Sequence, residues 1–384
     1  MAKVNLLFNG IEYFGVKSTS ISHSLNKCIA VKSATFSCVA CRNFSDFLTE
    51  LNNKKILLGS FYLNDKLYLE GFINDSMIYY KDNPDGGTDV DVRLLDRFVG
   101  LVASDLIYSR PRGSLQGFMS DVLIELGYLE NFAINSYQKQ VKSPFDLIKA
   151  GANVDLSKNL KSFARSSLVE ESSADLIGEL FATNKIILIS NGYDTLTIEK
   201  PNLKQDATFY AFRDGDDSNI SSAEKYGEMP DASSLPPSAV ITLNSYSKEA
   251  KKDSNTSVIS FNPNGIPHVI RLNRVSMQAS YQDISGLMNF SFAGIRARSN
   301  SYILRLPNIL LDKNNDFFSP NRTINYYDSK YLINSDMIIM DVRMDIDAEG
   351  GEETTLNISH EEIFEDNSSI KNKGRLLIWI ILER

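Results

Sequence analysis

Three short constellations in this chain have residue types that could do chemistry. Cys38-Val39-Ala40-Cys41 fits the Cys-x-x-Cys spacing of redox pairs and zinc half-sites, and Cys28 or His23 could complete a metal set. A redox pair needs its first thiol exposed at a helix N-terminus, where the thiolate is stabilised. Here the motif ends a β-like segment, and no second paired motif accompanies it. Packing is the expectation, with zinc and redox roles as the alternatives. Asp312-x-Asn314-x-Asp316 opens like a calcium loop. The sixth position of such a loop needs Gly and the twelfth a bidentate Glu, and these hold Phe317 and Thr323, so a plain turn is expected. His360-Glu361-Glu362 begins like a zinc-protease helix, but Phe364 stands where the second histidine belongs. Neither a dinucleotide fingerprint nor a P-loop lysine pattern occurs.

Carboxylates offer a fourth possibility. Between Asp341 and Asp366 lie ten acidic residues against one basic residue, Arg343. The plain reading is a solvated hairpin face with Gly350-Gly351 at its turn. The sharper reading is an acidic wall facing a channel or a basic partner, with Asp341, Asp345, Asp347, Glu349, Glu352 and Glu353 as candidate lining residues. A glycosidase acid/base pair could also lie here, but sequence does not set the carboxylate separation that such chemistry requires. A last unusual segment is the apolar run of Leu376, Leu377, Ile378, Trp379, Ile380, Ile381 and Leu382, preceded by Lys371, Lys373 and Arg375. Exposed, it would be an aggregation-prone edge strand. It is therefore expected to pack in its own domain or as a subunit or partner contact.

The elements that would position these residues are mostly strands. Val4 to Phe8, Asn9-Gly10, then Ile11 to Val16 read as strand, tight turn, strand. Segments 18–24, 34–39, 66–72 and 77–80 continue the β pattern. Pro84-Asp85-Gly86-Gly87 is a turn, and 89–95 alternates Val90, Val92 and Leu94 against Asp89, Asp91 and Arg93. Residues 109–113 read as a boundary. Ser114 is a candidate N-cap for a helix running to about Leu126, with Gly127 after it. A second helix is expected over 173–183, leading to a hairpin of 185–190 and 195–199 around Asn191-Gly192. From about 206 to 263 the sequence reads as polar and loop-like. Strand signals return at 268–272, 301–306, 323–327, 337–344 and 354–358, while 277–297 fits either a helix or two strands. No short internal repeat is visible.

Composition bounds the class. The chain has 384 residues, 43% hydrophobic and 23% charged, which suits two to four globular domains. A net charge of −8 and the lack of a basic, aromatic-laced run argue against phosphate-backbone binding as the main task. The longest apolar run is far below the roughly 20 residues of a membrane helix, and the first residues do not read as an export signal. A soluble protein without a membrane anchor is expected. Three cysteines suit a reducing compartment.

The order of these elements resembles the baseplate hub family of contractile phage tails, in particular the Mu-like tail hub proteins, related to the hub part of type VI secretion spike proteins. Four stretches carry the likeness. They are residues 4–39, residues 66–106 with Leu69-Glu70-Gly71-Phe72-Ile73 leading to Val90-Asp91-Val92-Arg93-Leu94-Leu95, residues 173–199, and residues 308–358 with Asp336-Met337-Ile338-Ile339-Met340-Asp341-Val342 as a late strand. The polar stretch 213–260 and the apolar tail depart from the family pattern. The resemblance implies an α+β, mainly β fold, with two tube-like β-barrel domains flanking a smaller mixed α/β region. The expected division is 1–110 for the first barrel, 111–205 for the mixed helix and hairpin domain, 206–366 for the second barrel with a polar insertion near 213–260, and 367–384 for the apolar tail.

The same resemblance implies a non-enzymatic structural hub in the virion baseplate, assembled in the host cytoplasm. It would be a homotrimer that joins a hexameric tail tube protein to a trimeric spike protein, beside other baseplate proteins, with DNA only as passing cargo. No catalytic residue, cofactor or metal is expected. The alternatives from other classes are a tail-associated glycan-binding module and a cell-wall glycan hydrolase.

Overall fold

A computed structural model describes residues 2–26, 28–84, 86–104, 113–126, 144–151, 154–158, 186–201, 206–225, 301–347 and 350–360, positions 177, 178, 181 and 184, and the backbone of 237–245, 256–261 and 266–273. The helix-or-strand segment 277–297, Gly127, Glu349 and the apolar run 376–382 lie outside the described residues.

The chain opens with β1 (Val4–Phe8), β2 (Phe14–Asn26), β3 (Ile29–Ala40), α1 (Phe44–Lys54), β4 (Ile56–Leu63), β5 (Lys66–Asn74), β6 (Ile78–Asp82) and β7 (Thr88–Asp96). The middle holds α2 (Gly100–Ala103), α3 (Leu115–Glu125), α4 (Pro144–Leu147), β8 (Ile148–Ala150), β9 (Ile187–Ser190) and β10 (Leu196–Glu199). The remainder is β11 (Phe209–Asp214), β12 (Asp217–Ser218), β13 (Ser222–Lys225), β14 (Pro237–Ser245), β15 (Thr256–Phe261), β16 (Ile266–Asn273), β17 (Ser301–Pro307), β18 (Thr323–Asp328), β19 (Ile333–Asp347) and β20 (Glu352–His360). The protein is mainly β with a small helical part, as expected.

The first β region runs β1-β4-β5-β7-β3-β2, with every ladder antiparallel. Period-two alternation sends Ile21, Ala34, Phe36, Val90, Val92 and Leu94 to the interior. Helix α1 adds Phe47 and Leu51 to that interior. Phe47 meets Phe8, Phe14 and Tyr13 with ring centroids 5.2, 4.9 and 5.3 Å apart. Such aromatic pairs contribute about 0.5–1.5 kcal/mol each beyond their burial. Gly71 is needed where β5 crosses β7, because a Cβ there would lie 1.9 Å from the Leu95 carbonyl oxygen.

The second β region runs β13-β17-β20-β19-β18-β11-β12. Its β19 changes partner along its length. Residues 333–338 pair with β18, and Asp341 to Asp347 pair with β2 of the first region. The change coincides with a register shift against β20 between Ile339 and Asp341, where a bulge bends the strand. The β2·β19 ladder therefore fuses both regions into one continuous sheet, and one apolar cluster from Leu6 to Ile358 fills both interiors. Among the described residues no ladder joins β1 back to β2 or β12 to β13.

The mixed region has its own core. Ile29 and Phe98, Leu115, Phe118, Met119, Val122 and Leu123 of α3's face, and Ile177, Phe181, Leu188, Leu196 and Ile198 cluster together. Ser114 caps α3 as expected, its Oγ accepting the Gly117 N–H at 3.1 Å. The hairpin turn is built by Asn191, whose Oδ1 accepts the N–H groups of Tyr193, Asp194 and Thr195, each at 3.0 Å.

Three expectations are corrected. The Asn9-Gly10 turn forms, but only Phe8 and Ile11 bridge across it, and β1 then pairs with β4 instead of β2. Helix α1 and strand β4 occupy a stretch assigned no element from sequence. The span 206–263 is also not loop-like: β11 and β13 belong to the main sheet, while β14 and β15 join β16 in a separate three-stranded sheet. No described helix is long and apolar enough to cross a membrane.

Candidate functional site: the polar face of the continuous sheet

The short motifs resolve into packing and turns. Cys38 lies in the interior of β3, and burial pushes its thiol up to about 12, away from the thiolate that redox work needs. Cys41 is exposed and Cys28 sits at positive φ beside the mixed core. Asp312 spends its carboxylate on its own turn, with Oδ1 accepting the Asn314 and Asp316 N–H groups at 2.8 and 3.0 Å. Among the described residues no group of His, Cys, Asp and Glu is placed to hold a metal.

The acidic residues fall instead on a surface that sequence alone does not delineate. The order β6-β7-β3-β2-β19-β20-β17-β13 is an unbroken run of antiparallel ladders. One face of it is the apolar interior. The registers align the other face in rows across the strands. One row reads Tyr79, Asp91, Ser37, Ser18, Asp347. The next reads Arg93, Thr35, Ser20, Asp345, Glu353. A third reads Ser33, Ser22, Arg343, Thr355, Arg305, Ser222, and a fourth Ser24, Asp341, Asn357, Ile303, Glu224. Small hydroxyls and charges predominate on it, with the exposed ring of Tyr79 and the side chain of Ile303 among them, over a shallow concavity of about 1140 Å³.

Asp341, Asp345, Asp347 and Glu353 thus share one face, as the wall reading requires. Glu352 does not join them. It is opposite buried Ile346, and its carboxylate accepts the Ala2 backbone N–H and, at 3.5 Å, that of Ile309. Nor is the wall purely acidic, because arginines of β7, β17 and β19 itself stand among the acids. Arg343 Nε lies 2.9 Å from Asp345, Arg305 lies 3.6 Å from Glu353, and Lys17 lies 2.5 Å from Asp89. These pairs are exposed and contribute at most about 1 kcal/mol each. Asp341 is half-buried. Burial raises its carboxyl above the usual range, while hydrogen bonds from Ser24, Asn357 and the Leu25 N–H pull the other way.

Sequence reasoning missed the hydroxyl half of this face. The signal was present as Ser18, Ser20, Ser22 and Ser24 alternating with Thr19, Ile21 and His23. It shows that one side of β2 is polar, but not which strands lie beside it.

Polar locks hold the mixed region against both β regions. Lys32 Nζ donates to the carbonyls of Asn191 at 2.8 Å and Tyr68 at 3.2 Å and lies 3.9 Å from the Tyr68 ring centroid. Burial pulls this ammonium down to about 8, against the opposing field of Asp96. Gly192, at φ +91°, lets the turn approach, since a Cβ there would stand 2.7 Å from Lys32 Cδ and the Tyr68 oxygen. On the other side Glu199 of β10 receives both guanidinium nitrogens of Arg322, at 2.8 and 3.1 Å.

No family model and no curated protein matches the sequence. Solved structures do. A tail protein from Neisseria meningitidis MC58 superposes with a TM-score of 0.70 at 10% identity, covering 94% of this chain and 98% of that one. The 43 kDa tail protein of prophage MuSo2 from Shewanella oneidensis gives 0.66 at 12% identity, over 94% and 99% of the two chains. An Escherichia coli component of the type VI secretion system, described as structurally similar to the bacteriophage T4 tail proteins gp27 and gp5, gives 0.52 at 8% identity, over 93% of this chain and 76% of that one. Identities this low establish a shared fold, and nearly end-to-end coverage establishes it for almost the whole chain: this protein has the fold of phage tail proteins.

Proposed function

We propose that this protein is a non-enzymatic baseplate hub of a contractile tail, a homotrimer that joins the tail tube to the spike and surrounds the passage for DNA. The observation that carries the reading is the continuous polar sheet face. Two β regions, proposed as the two tube-like modules within 1–110 and 206–366, contribute strands to it side by side. Three copies would present six such modules, matching a hexameric tube above, while a threefold axis suits a trimeric spike below. The fold shared with tail proteins supports this.

A face of serines, threonines and spaced carboxylates suits a passage for DNA. Asp341, Asp345, Asp347 and Glu353 repel phosphates, and the interleaved Arg93, Arg305 and Arg343 keep the surface from being a single-sign wall. The hydroxyls of β2 and β3 offer no large apolar surface for bases to stack on, and the exposed Tyr79 ring lies at the β6 end of the face. Asp345 and Glu353 are cross-strand neighbours that each face an arginine, an arrangement of a mixed-charge surface rather than of an acid and base pair.

Co-expression with the tube and spike proteins of the same tail tests the joining role. A single particle containing all three is expected, and failure to bind either one contradicts it. For the passage, Asp345→Lys with Asp347→Lys and Glu353→Lys should slow DNA ejection from assembled tails. Unchanged ejection contradicts the lining role while leaving the joining role intact.

A further inference from the structure

We propose that the turn between β18 and β19 is the docking site for the same chain's C-terminal segment, residues 371–382, which carries Lys371, Lys373 and Arg375 ahead of its apolar run. This contact goes beyond the hub reading and holds for a monomer as for a trimer.

Residues 329–332 form the turn. Leu332 in it is 92% exposed and has φ +57°. That left-handed region suits Gly or Asn and is unfavourable for a bulky side chain. Solvent and backbone thus both select against leucine here. A lone exposed apolar side chain is ordinary on a protein surface. This one is also strained, and its neighbours hold it in place. Asp328 accepts the Tyr331 N–H at 3.0 Å, and the Arg213 carbonyl accepts the Ser329 N–H at 3.0 Å. The Arg213 guanidinium lies 4.9 Å from the Tyr331 ring centroid, and the Tyr331 hydroxyl donates to the Ala223 carbonyl at 3.5 Å. The turn is therefore fixed in advance, and little freedom is left to lose on docking. Tyr331, itself 43% exposed, adds to the apolar surface of Leu332.

The charge beside this surface is acidic. β11 runs parallel to β18 with Arg213 opposite Asp328, so the β11–β12 turn stands at the same end of the sheet. It carries the exposed Asp214, Asp216 and Asp217, against Lys330 on the β18–β19 turn. An apolar surface with an excess of carboxylates next to it fits an apolar segment that brings cations. The C-terminal segment has that composition, with three cations in five residues and then the uncharged run Leu376 to Leu382.

Chain path brings the two within reach. β20 runs antiparallel to β19, and its last residue, His360, lies opposite Met337. Past Met337, β19 leads back through Ile333 to the turn. Five residues separate Met337 from Leu332, about 17 Å of extended strand. The ten residues 361–370 span up to about 33 Å when extended, enough to deliver Lys371 to the acidic turn.

Trp379 is the single tryptophan of the chain and lies inside the segment, so its fluorescence reads the contact directly. Emission and acrylamide quenching are compared for the full chain, for Leu332→Asn, which suits the left-handed turn position, and for Asp216→Lys with Asp217→Lys. Far-UV circular dichroism verifies that each variant keeps its fold. The unaltered chain is expected to show a blue-shifted, weakly quenched Trp379 at every dilution. Leu332→Asn removes a buried leucine side chain from the contact and should weaken docking by about tenfold or more, read as a red shift and stronger quenching. The charge reversal should shift emission the same way. A Trp379 that is open to quencher in the unaltered chain, or whose emission is unchanged in either folded variant, overturns the docking. A blue shift that is lost on dilution overturns it too, by assigning the segment to a second copy.

Discussion

The two β regions solve one problem with different chemistry. Both bury an apolar face and expose a polar one along the shared sheet. The first fills its interior with aromatic rings, Phe8, Phe14, Phe36, Phe47 and Phe61, covered by α1. The second fills its own mainly with aliphatic side chains such as Leu304, Leu306, Ile339, Met344, Leu356 and Ile358, and adds a buried ionic knot. In that knot Asp328 accepts from Arg213 and from the Tyr326 hydroxyl, both at 2.5 Å. The exposed faces differ too. β2 and β3 offer hydroxyls, whereas β19, β20 and β17 offer paired charges. The shared requirement is a polar surface of continuous strands. Interior chemistry is free to vary as long as β2 and β19 can meet.

Fusion through β2·β19 and one apolar cluster predicts that damage in either region is felt by both. Phe47→Ala should cost about 3–5 kcal/mol and Leu356→Ala about 2–5 kcal/mol. Each should lower a cooperative transition that includes both regions, followed by circular dichroism during urea unfolding. Two separated transitions, with only one moving per variant, would break the picture of a fused unit.

The ionic knot sharpens the contrast. Asp328 is fully buried and Arg213 partly so. Removing one partner leaves the other stranded, so Asp328→Ala should destabilise by about 3 kcal/mol. An exposed pair such as Arg343 and Asp345 should behave otherwise, with Arg343→Ala changing stability by less than about 0.5 kcal/mol.

Between these extremes lies His23, at the seam where β2 meets both β3 and β19. It faces the interior with neither ring nitrogen hydrogen-bonded, in register with Lys32 and Val342. Burial, then the fields of Lys32 and Arg322, hold its pKa well below the usual value. Glu199 is committed to Arg322 through the contacts already described, and the Asp96 carboxylate accepts the backbone N–H groups of Lys32 and Phe98 at 3.0 and 2.9 Å. The folded state thus disfavours the imidazolium. Stability from the neutral form is complete above the unfolded value of about 6.5 and is lost as pH falls below it. His23→Leu should therefore flatten the fall in melting temperature between pH 7 and pH 5, and an unchanged slope would remove His23 from the account.

Much of the fold was legible because it is local. Alternation marked β7, strand signals marked β17, β18 and β20, and the Ser114 cap and the Asn191 turn follow from side chains bonding the backbone within a few residues. What failed was pairing. Asn9-Gly10 signals a hairpin, yet β1's longer ladder is with β4, across a span that includes β2, β3 and α1. Phe44, Phe47, Leu48 and Leu51 sit at helical spacing and could have identified α1. The strands of 209–225 escaped because they are short, two to six residues each, and are broken by the polar turn Asp214-Gly215-Asp216-Asp217. The candidate face was half legible. Asp341, Asp345, Asp347 and Glu353 stood out by charge, but the serines of β2 and the arginines that temper the acids join them only through long-range register.

The central claim, a trimeric ring of these sheets, is tested most directly by native light scattering combined with negative-stain imaging of the same peak. The account predicts about 129 kDa, three times 43.0 kDa, and ring-shaped particles with a central opening. A monomer of 43.0 kDa that stays monomeric when its spike protein is added would contradict it.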